Sequence, residues 1–146
     1  MRRAIAVHRR GEWPEEAALD TLTLAYVDRH RRRIRLTADS GEACLLDLPT
    51  AHHLIDGDGL ELDGGDYLRV RAAPEPVFDI EAAEPSDLLR IAWHLGNRHL
   101  PLQVAGERLR IQADHVIAEM VVGLGGRITR QEAPFDPETG AYHEHE

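Results

Sequence analysis

The chain of 146 residues contains no lysine: all 17 of its basic residues are arginine. That absence excludes Schiff-base lysine chemistry and a Walker-type phosphate site, both of which need an amine on a flexible stem. A single cysteine, Cys44, excludes an intrachain disulfide and any cysteine-based zinc site. Ser40 and Ser86 are the only serines, and neither lies in a G-x-S-x-G context, so an acyl-transfer hydrolase is poorly supported. Aromatics are scarce at 5%, leaving the core to Leu, Val, Ile and Ala. No apolar run approaches the length of a membrane span, and the opening MRRAIAVHRRGEW lacks the apolar centre of a signal peptide. The expectation is a cytoplasmic protein with no membrane association. Positive charge in excess is also lacking: the formal net charge is −9, which argues against nucleic acid, whose phosphates are bound by accumulated Lys and Arg.

Hydrophobic residues make up 42% of the chain, enough for a core, and nine histidines are the one compositional outlier able to carry chemistry. The first half alternates with period two in short runs about 8–12 residues apart: 3–8, 21–27, 34–38, 43–48, 60–62 and 67–71. Asp39-Ser-Gly41 predicts a hairpin turn, and Cys44 shares a buried face with Leu46 and Leu48. The spacing favours an all-β, sandwich-like or barrel-like domain. The basic run from Arg29 to Arg35 reads as a solvated hairpin face, having no neighbouring aromatics to stack bases. Asp56-Gly-Asp58 reads as turn chemistry, because the further ligands of a calcium loop are missing.

Beyond Ala72-Ala-Pro-Glu-Pro76 the pattern changes. A strand at 77–80 precedes a helix opened by Ser86 or Asp87 and closed near Gly96 or Asn97. Strands at 101–106 and 108–112 come next. Asp114 opens a second helix with Val116, Ile117, Met120, Val121 and Leu124 inward, Gly123 to Gly126 stops it, and a strand at 127–130 closes the series. Strand, helix, strand, strand, helix, strand is the ferredoxin-like βαββαβ order. The class is therefore α+β: a β-rich domain over residues 1–73, a ferredoxin-like domain over 74–132, and a polar, flexible tail over 133–146.

Leu88, Ile91, Ala92 and Leu95 share one face of the first helix, and a further turn of that stripe reaches His99. An imidazole ending an apolar stripe suggests a subunit seam, where a two-fold axis would pair His99 with its copy. No H-E-x-x-H or other i,i+4 ligand pair exists. His94 and His99, five apart, would diverge by about 140° on a continuous helix. Taken singly, each histidine reads more plainly as a core or surface residue. Together, two seam imidazoles and tail imidazoles would form an open, cross-chain site suited to passing a metal on.

The stretch His94-Leu-Gly-Asn-Arg-His-Leu-Pro-Leu-Gln103, with Leu109-Arg-Ile111, Asp114-His-Val-Ile-Ala-Glu-Met120 and Ala133-Pro-Phe-Asp-Pro-Glu-Thr-Gly-Ala-Tyr-His143, resembles the UreE family of urease accessory proteins, which are nickel metallochaperones. The Thr37-Ala-Asp-Ser-Gly-Glu42 hairpin, the Asp56-Gly-Asp58 turn and the Arg71-Ala-Ala-Pro-Glu75 junction add to a likeness that covers the whole chain. It implies a peptide-binding-like first domain and a metal-binding second domain that forms a homodimer. His99 matches the interface nickel ligand, His143 and His145 the tail ligands, and His115 a peripheral ligand, while His94 lies within the motif. The implied function is delivery of Ni²⁺ for urease active-site assembly, without enzymatic activity, alongside an accessory GTPase and the urease apoprotein complex. Zn²⁺ or Cu²⁺ can substitute in vitro, since imidazole is a borderline ligand. With only two tail histidines, bulk nickel storage is not expected, and Ala113 stands where some members carry another peripheral histidine. The alternative is a peptide-binding or assembly module, working by strand addition to its first domain, whose histidines are incidental.

Overall fold

The computed structural model describes residues 1–138 and divides them into two compact units, 1–73 and 74–138. The first unit holds six strands: β1 (Arg2–His8), β2 (Ala18–Leu24), β3 (His30–Thr37), β4 (Ala43–His53), β5 (Gly59–Leu62) and β6 (Tyr67–Ala72). They form one curled mixed sheet in the order β2-β6-β5-β1-β4-β3, with β1 parallel to β4 and β2 parallel to β6. Alternation decides which side chains enter the core: Leu22 and Leu24, Leu46 and Leu48, Leu68 and Val70 are buried, while Thr23 and Arg71 remain exposed. Cys44 is fully buried as its pattern required, and burial pushes its thiol pKa up, which leaves it unreactive.

Two local readings change in this unit. The period-two run predicts a strand through Val27, yet β2 ends at Leu24 and Tyr26–Asp28 coil into a 3-10 turn. The cause is Arg29, which is fully buried instead of belonging to a solvated run. Its Nε donates to the Leu24 carbonyl at 3.1 Å and a terminal nitrogen to the Leu54 carbonyl at 3.2 Å, so the chain must turn to bring the guanidinium inward. The Asp56–Asp58 turn is structural, as its composition suggested. Asp58 is fully buried and accepts from Arg9, the Arg10 amide and the Ile55 amide at 2.8–3.0 Å, which occupies the carboxylate a cation would need.

The second unit holds β7 (Pro74–Ala82), α1 (Pro85–Asn97), β8 (Gln103–Ala105), β9 (Arg108–Gln112), α2 (His115–Gly123) and β10 (Gly126–Pro134). The sheet order β10-β7-β9-β8, antiparallel throughout, is the ferredoxin-like arrangement the element order implied. α1 starts earlier than its polar residues suggested: Glu84 is the cap position and Pro85, whose fixed φ suits the first turn, begins the helix. α2 is capped as expected, with the Asp114 carboxylate accepting from the Val116 and Ile117 amides at 2.9 and 3.2 Å. Ile117 and Val121 face inward, but Val116 is exposed. Phe78, Ile80, Leu109 and Ile111 from the sheet complete a core with Ile91 and Leu95 of α1.

The C-terminal strand also exceeds its sequence reading. β10 pairs with β7 as far as Pro134, beyond the residue at which a polar tail was expected, and Phe135 is fully buried. The chain then passes to the opposite edge of the sheet, where the Asp136 amide donates to Gln103 at 2.9 Å and the Glu138 amide to the Leu102 carbonyl at 2.8 Å.

On the sheet face away from the helices, Asp79 is almost fully buried and receives a bidentate pair from Arg110, its cross-strand neighbour, at 2.7 and 3.2 Å, together with a donation from Gln131. The Arg110 hydrogen bond holds the Asp79 carboxyl below the usual carboxylate range against the opposing effect of burial. A depressed pKa means that this stabilisation is present above the unfolded value of about 3.9 and is lost as pH falls through the folded value. Asp79→Asn is expected to cost about 2 kcal/mol at neutral pH, because it leaves a partly buried guanidinium without its carboxylate. The variant should also show less additional destabilisation than wild type below about pH 4. Urea unfolding across pH checks both, and identical acid limbs in the two proteins would contradict the assignment.

Candidate metal centre

Gly96 and Asn97 are poor helix formers, and α1 stops at them, as the sequence predicted. The chain then reverses, in a way that periodicity alone does not show. Arg98 closes the helix with φ −86°, and His99 takes φ +59°, the left-handed region. The His99 amide donates to the Gly96 carbonyl at 3.0 Å and the Leu100 amide to the Leu95 carbonyl at 3.3 Å. This bond pair is the Schellman motif, and Leu100 packs against the same core as Leu95, the apolar contact that accompanies it. His99 is the only residue other than glycine with a positive φ among the described residues. A β-carbon in that conformation costs about 1 kcal/mol, so the turn holds an imidazole at a position that favours glycine.

The apolar stripe is corrected accordingly. His99 does not extend it, since the helix ends two residues earlier. Ile91 and Leu95 are buried in their own unit, and Leu88 and Ala92 lie half-buried against them. The stripe is therefore used chiefly within the fold, with Leu88 and Ala92 only partly covered. α1 carries a second apolar pair on its outer side, Leu89 and Trp93, one turn apart and 72% and 63% exposed. Their i,i+4 spacing is visible in the sequence, but the inward stripe is the longer pattern and masks it.

The other expected ligands are dispersed. His94 lies half-buried in the last turn of α1, its ring edge-on to Trp93 with centroids 5.0 Å apart. His115 is exposed at the first position of α2. His143 and His145 lie outside the described residues. Among the described residues no three His, Cys, Asp or Glu side chains converge on a point that could hold a metal ion. In the first unit His8 bonds Glu61 at 2.8 Å and His52 meets Thr50 at 3.3 Å. His53 is buried beside His30 and Tyr26, with ring centroids 5.7 and 5.3 Å away, so it belongs to a packed cluster and not to a solvated loop. Ser40 donates its hydroxyl to the Asp20 carboxylate.

Residues 2–73 match the family model of the UreE urease accessory protein N-terminal domain, and residues 75–146 that of its C-terminal domain. The chain belongs to the UreE family. It is 54% identical over 142 residues to a urease accessory protein UreE of Rhodopseudomonas palustris, covering 97% of this chain and 66% of that relative. A namesake from Chelativorans is 48% identical over 130 residues, covering 89% of this chain and 82% of the relative. One from Agrobacterium fabrum is 43% identical over 145 residues, covering 99% and 89%. The chain thus spans about two thirds of the Rhodopseudomonas relative's length. The resemblance read from the Gly96–His99 motif is the family these comparisons return.

The strain at His99 gives a direct test of the turn. His99→Gly is expected to be more stable than His99→Ala by about 1 kcal/mol, because alanine keeps the β-carbon that the left-handed conformation penalises. Urea denaturation of the two variants measures the difference, and equal stabilities would rule out a left-handed His99 in solution.

Proposed function

We propose that the chain is a homodimeric nickel carrier that supplies Ni²⁺ for assembly of the urease active site and has no catalytic activity of its own. The observation that carries this is His99. The fold spends conformational energy to set an exposed imidazole on a tight turn, and its single chain offers no cage of described residues around it. A lone, rigidly presented imidazole is half of a site that a second copy completes. The exposed Leu89–Trp93 pair on α1 is the apolar surface we assign to that dimer seam, in place of the inward stripe.

The remaining ligands come from the C-terminal segment. Glu138 is pinned to Leu102, three residues from His99. From there the five residues to His143 can extend about 17 Å, ample for His143 or His145 to reach the turn. His94 and His115 are accessory ligands in this reading, placed near the turn and the adjoining helix start. A site with two ligands on a turn and two on a chain end captures the ion and also releases it, whereas a closed tetrahedral cage would retain it. Imidazole alone does not select nickel over Zn²⁺ or Cu²⁺, so selectivity falls to metal supply and to docking on the accessory GTPase and the urease apoprotein complex in the cytoplasm. The peptide-binding alternative finds less support. The β3 edge of the first sheet carries exposed Arg31, Arg32, Arg33 and Arg35 and a register shift against β4, features that resist strand addition.

Nickel titration by calorimetry, with mass measured in solution, tests the proposal. We expect one ion per dimer in wild type and its loss in His99→Ala, with protons released on binding because the ligand form of imidazole is the neutral one. Trp93→Glu should shift the mass toward monomer. Unchanged nickel binding in His99→Ala would overturn the anchoring role.

A further inference from the structure

Strand β6 sends alternate side chains to opposite faces of the first sheet. Leu68 and Val70 enter the core, so Arg69 and Arg71 share the outer face, with their Cα atoms about 6.6 Å apart along the strand. Their register partners in β2 are Thr21 and Thr23. On the other side of β6, the turn before β5 brings Asp56 alongside the strand end, where its carboxylate accepts from the Ala72 amide at 3.0 Å. An open polar cleft of about 430 Å³ lies here, lined by Thr21, Asp56, Arg69 and Arg71.

The charges around this cleft are unequally satisfied. Asp39, at its side, accepts from the Thr21 and Thr23 hydroxyls. Those bonds hold its carboxyl below the usual carboxylate range, and the charge of Arg71 adds a smaller effect. Asp56 has one oxygen on the Ala72 amide and a second that takes no hydrogen bond among the described residues. Neither Arg69 nor Arg71 donates a hydrogen bond or sits within ion-pair distance of a carboxylate among the described residues. By contrast, Arg2, Arg3 and Arg9 of the same unit each hold an aspartate, Asp20, Asp47 and Asp58 respectively.

We propose that Arg69 and Arg71 bind a carboxylate in this cleft, and that Asp56 receives an N–H of the same ligand. A guanidinium offers its donors in a planar fork that matches a carboxylate, and two of them on one strand face converge on a single group. The net field selects among oxyanions. Two positive charges are opposed by Asp56 in the lining and by Asp39 beside it, which suits one negative charge and disfavours a phosphate dianion. The second Asp56 oxygen asks for a donor, so the ligand carries an N–H close to its carboxylate. An acidic residue of a partner polypeptide and a free amino acid both meet that description. Capture by side chains needs no free strand edge, which separates it from the strand addition weighed above. The site lies wholly in the first unit and stands independently of the nickel-carrier reading.

The test uses the full, metal-free chain and follows the arginine Nε–H signals by NMR. Four probes are titrated at equal ionic strength: acetate, free L-glutamate, N-acetyl-L-glutamate α-amide and inorganic phosphate. We expect the three carboxylates to move the Arg69 and Arg71 signals saturably, with both glutamate probes binding more tightly than acetate. Arg69→Gln should weaken binding about tenfold, the loss of one charge-assisted pair, with an unchanged unfolding midpoint because no ion pair is removed. Arg35→Gln, at an exposed position on β3, should bind like wild type. Tighter binding of the blocked amide than of free glutamate supports the site with a partner's acidic side chain as its ligand, and the reverse order supports it with a free amino acid. Phosphate binding more tightly than the carboxylates overturns the assignment. So do wild-type affinity in Arg69→Gln, equal losses in Arg69→Gln and Arg35→Gln, and the absence of saturable shifts.

Discussion

The second unit depends on how α1 ends. Its inward face buries Ile91 and Leu95, and the next apolar residue, Leu100, must join the same core. A continued helix would carry the chain away from the sheet, so the backbone has to reverse within three residues. The Schellman bonds from His99 to Gly96 and from Leu100 to Leu95 make that reversal, and their geometry demands a left-handed residue at position 99. Glycine would meet the demand without strain. A histidine there keeps the packing at an energetic cost, which marks the position as a candidate functional site.

The sheet beneath this turn gathers distant segments at one edge. Because the order is β10-β7-β9-β8, the last strand lies at the edge opposite β8. Yet the chain after it crosses back to bond Leu102 and Gln103, next to β8. Arg110 takes part in that crossing: it binds Asp79 in the neighbouring strand and also donates to the Pro134 carbonyl at 3.0 Å. The ion pair therefore fixes the base of the sheet and the departure of the C-terminal segment together. This is why a polar, proline-containing stretch from Ala133 to Glu138, compositionally a tail, is instead ordered along the unit.

Much of this was legible in the residues, for definable reasons. Strands and helices obeyed their periods, Gly96-Asn97 marked the helix end, and Asp114 marked a cap, since each rests on local stereochemistry. Readings that needed tertiary contacts were the ones to change. Arg29 looked solvated because it sits among arginines, and only the carbonyls of Leu24 and Leu54 draw it inside. Val27 looked like strand because alternation cannot register that pull. The stripe through Leu95 to His99 assumed helix beyond Asn97, although Leu100, apolar just after a helix stop, was the available sign of a Schellman turn. Which apolar face of α1 is free was likewise undetermined until the sheet claimed one of them.

In the carrier reading proposed above, the placement of the imidazole favours transfer over retention. A histidine on the face of a helix or strand would be rigid and shielded, the setting of structural metal sites, in which neighbouring ligands on the same scaffold close the coordination sphere. Here the His99 imidazole stands on a solvent-facing turn, and among the described residues no cluster of three His, Cys, Asp or Glu side chains could hold a metal ion. In the proposed carrier, further donors would come from a second copy or from residues beyond Glu138. Each such donor joins and leaves at an entropic cost of its own, so the affinity is assembled from separable steps and can be dismantled in the same way. A rigid anchor combined with removable closing ligands is what a protein needs if it must hold an ion against loss to solvent and still surrender it to a partner. In the proposed carrier, the left-handed turn at position 99 would supply the fixed part of the site.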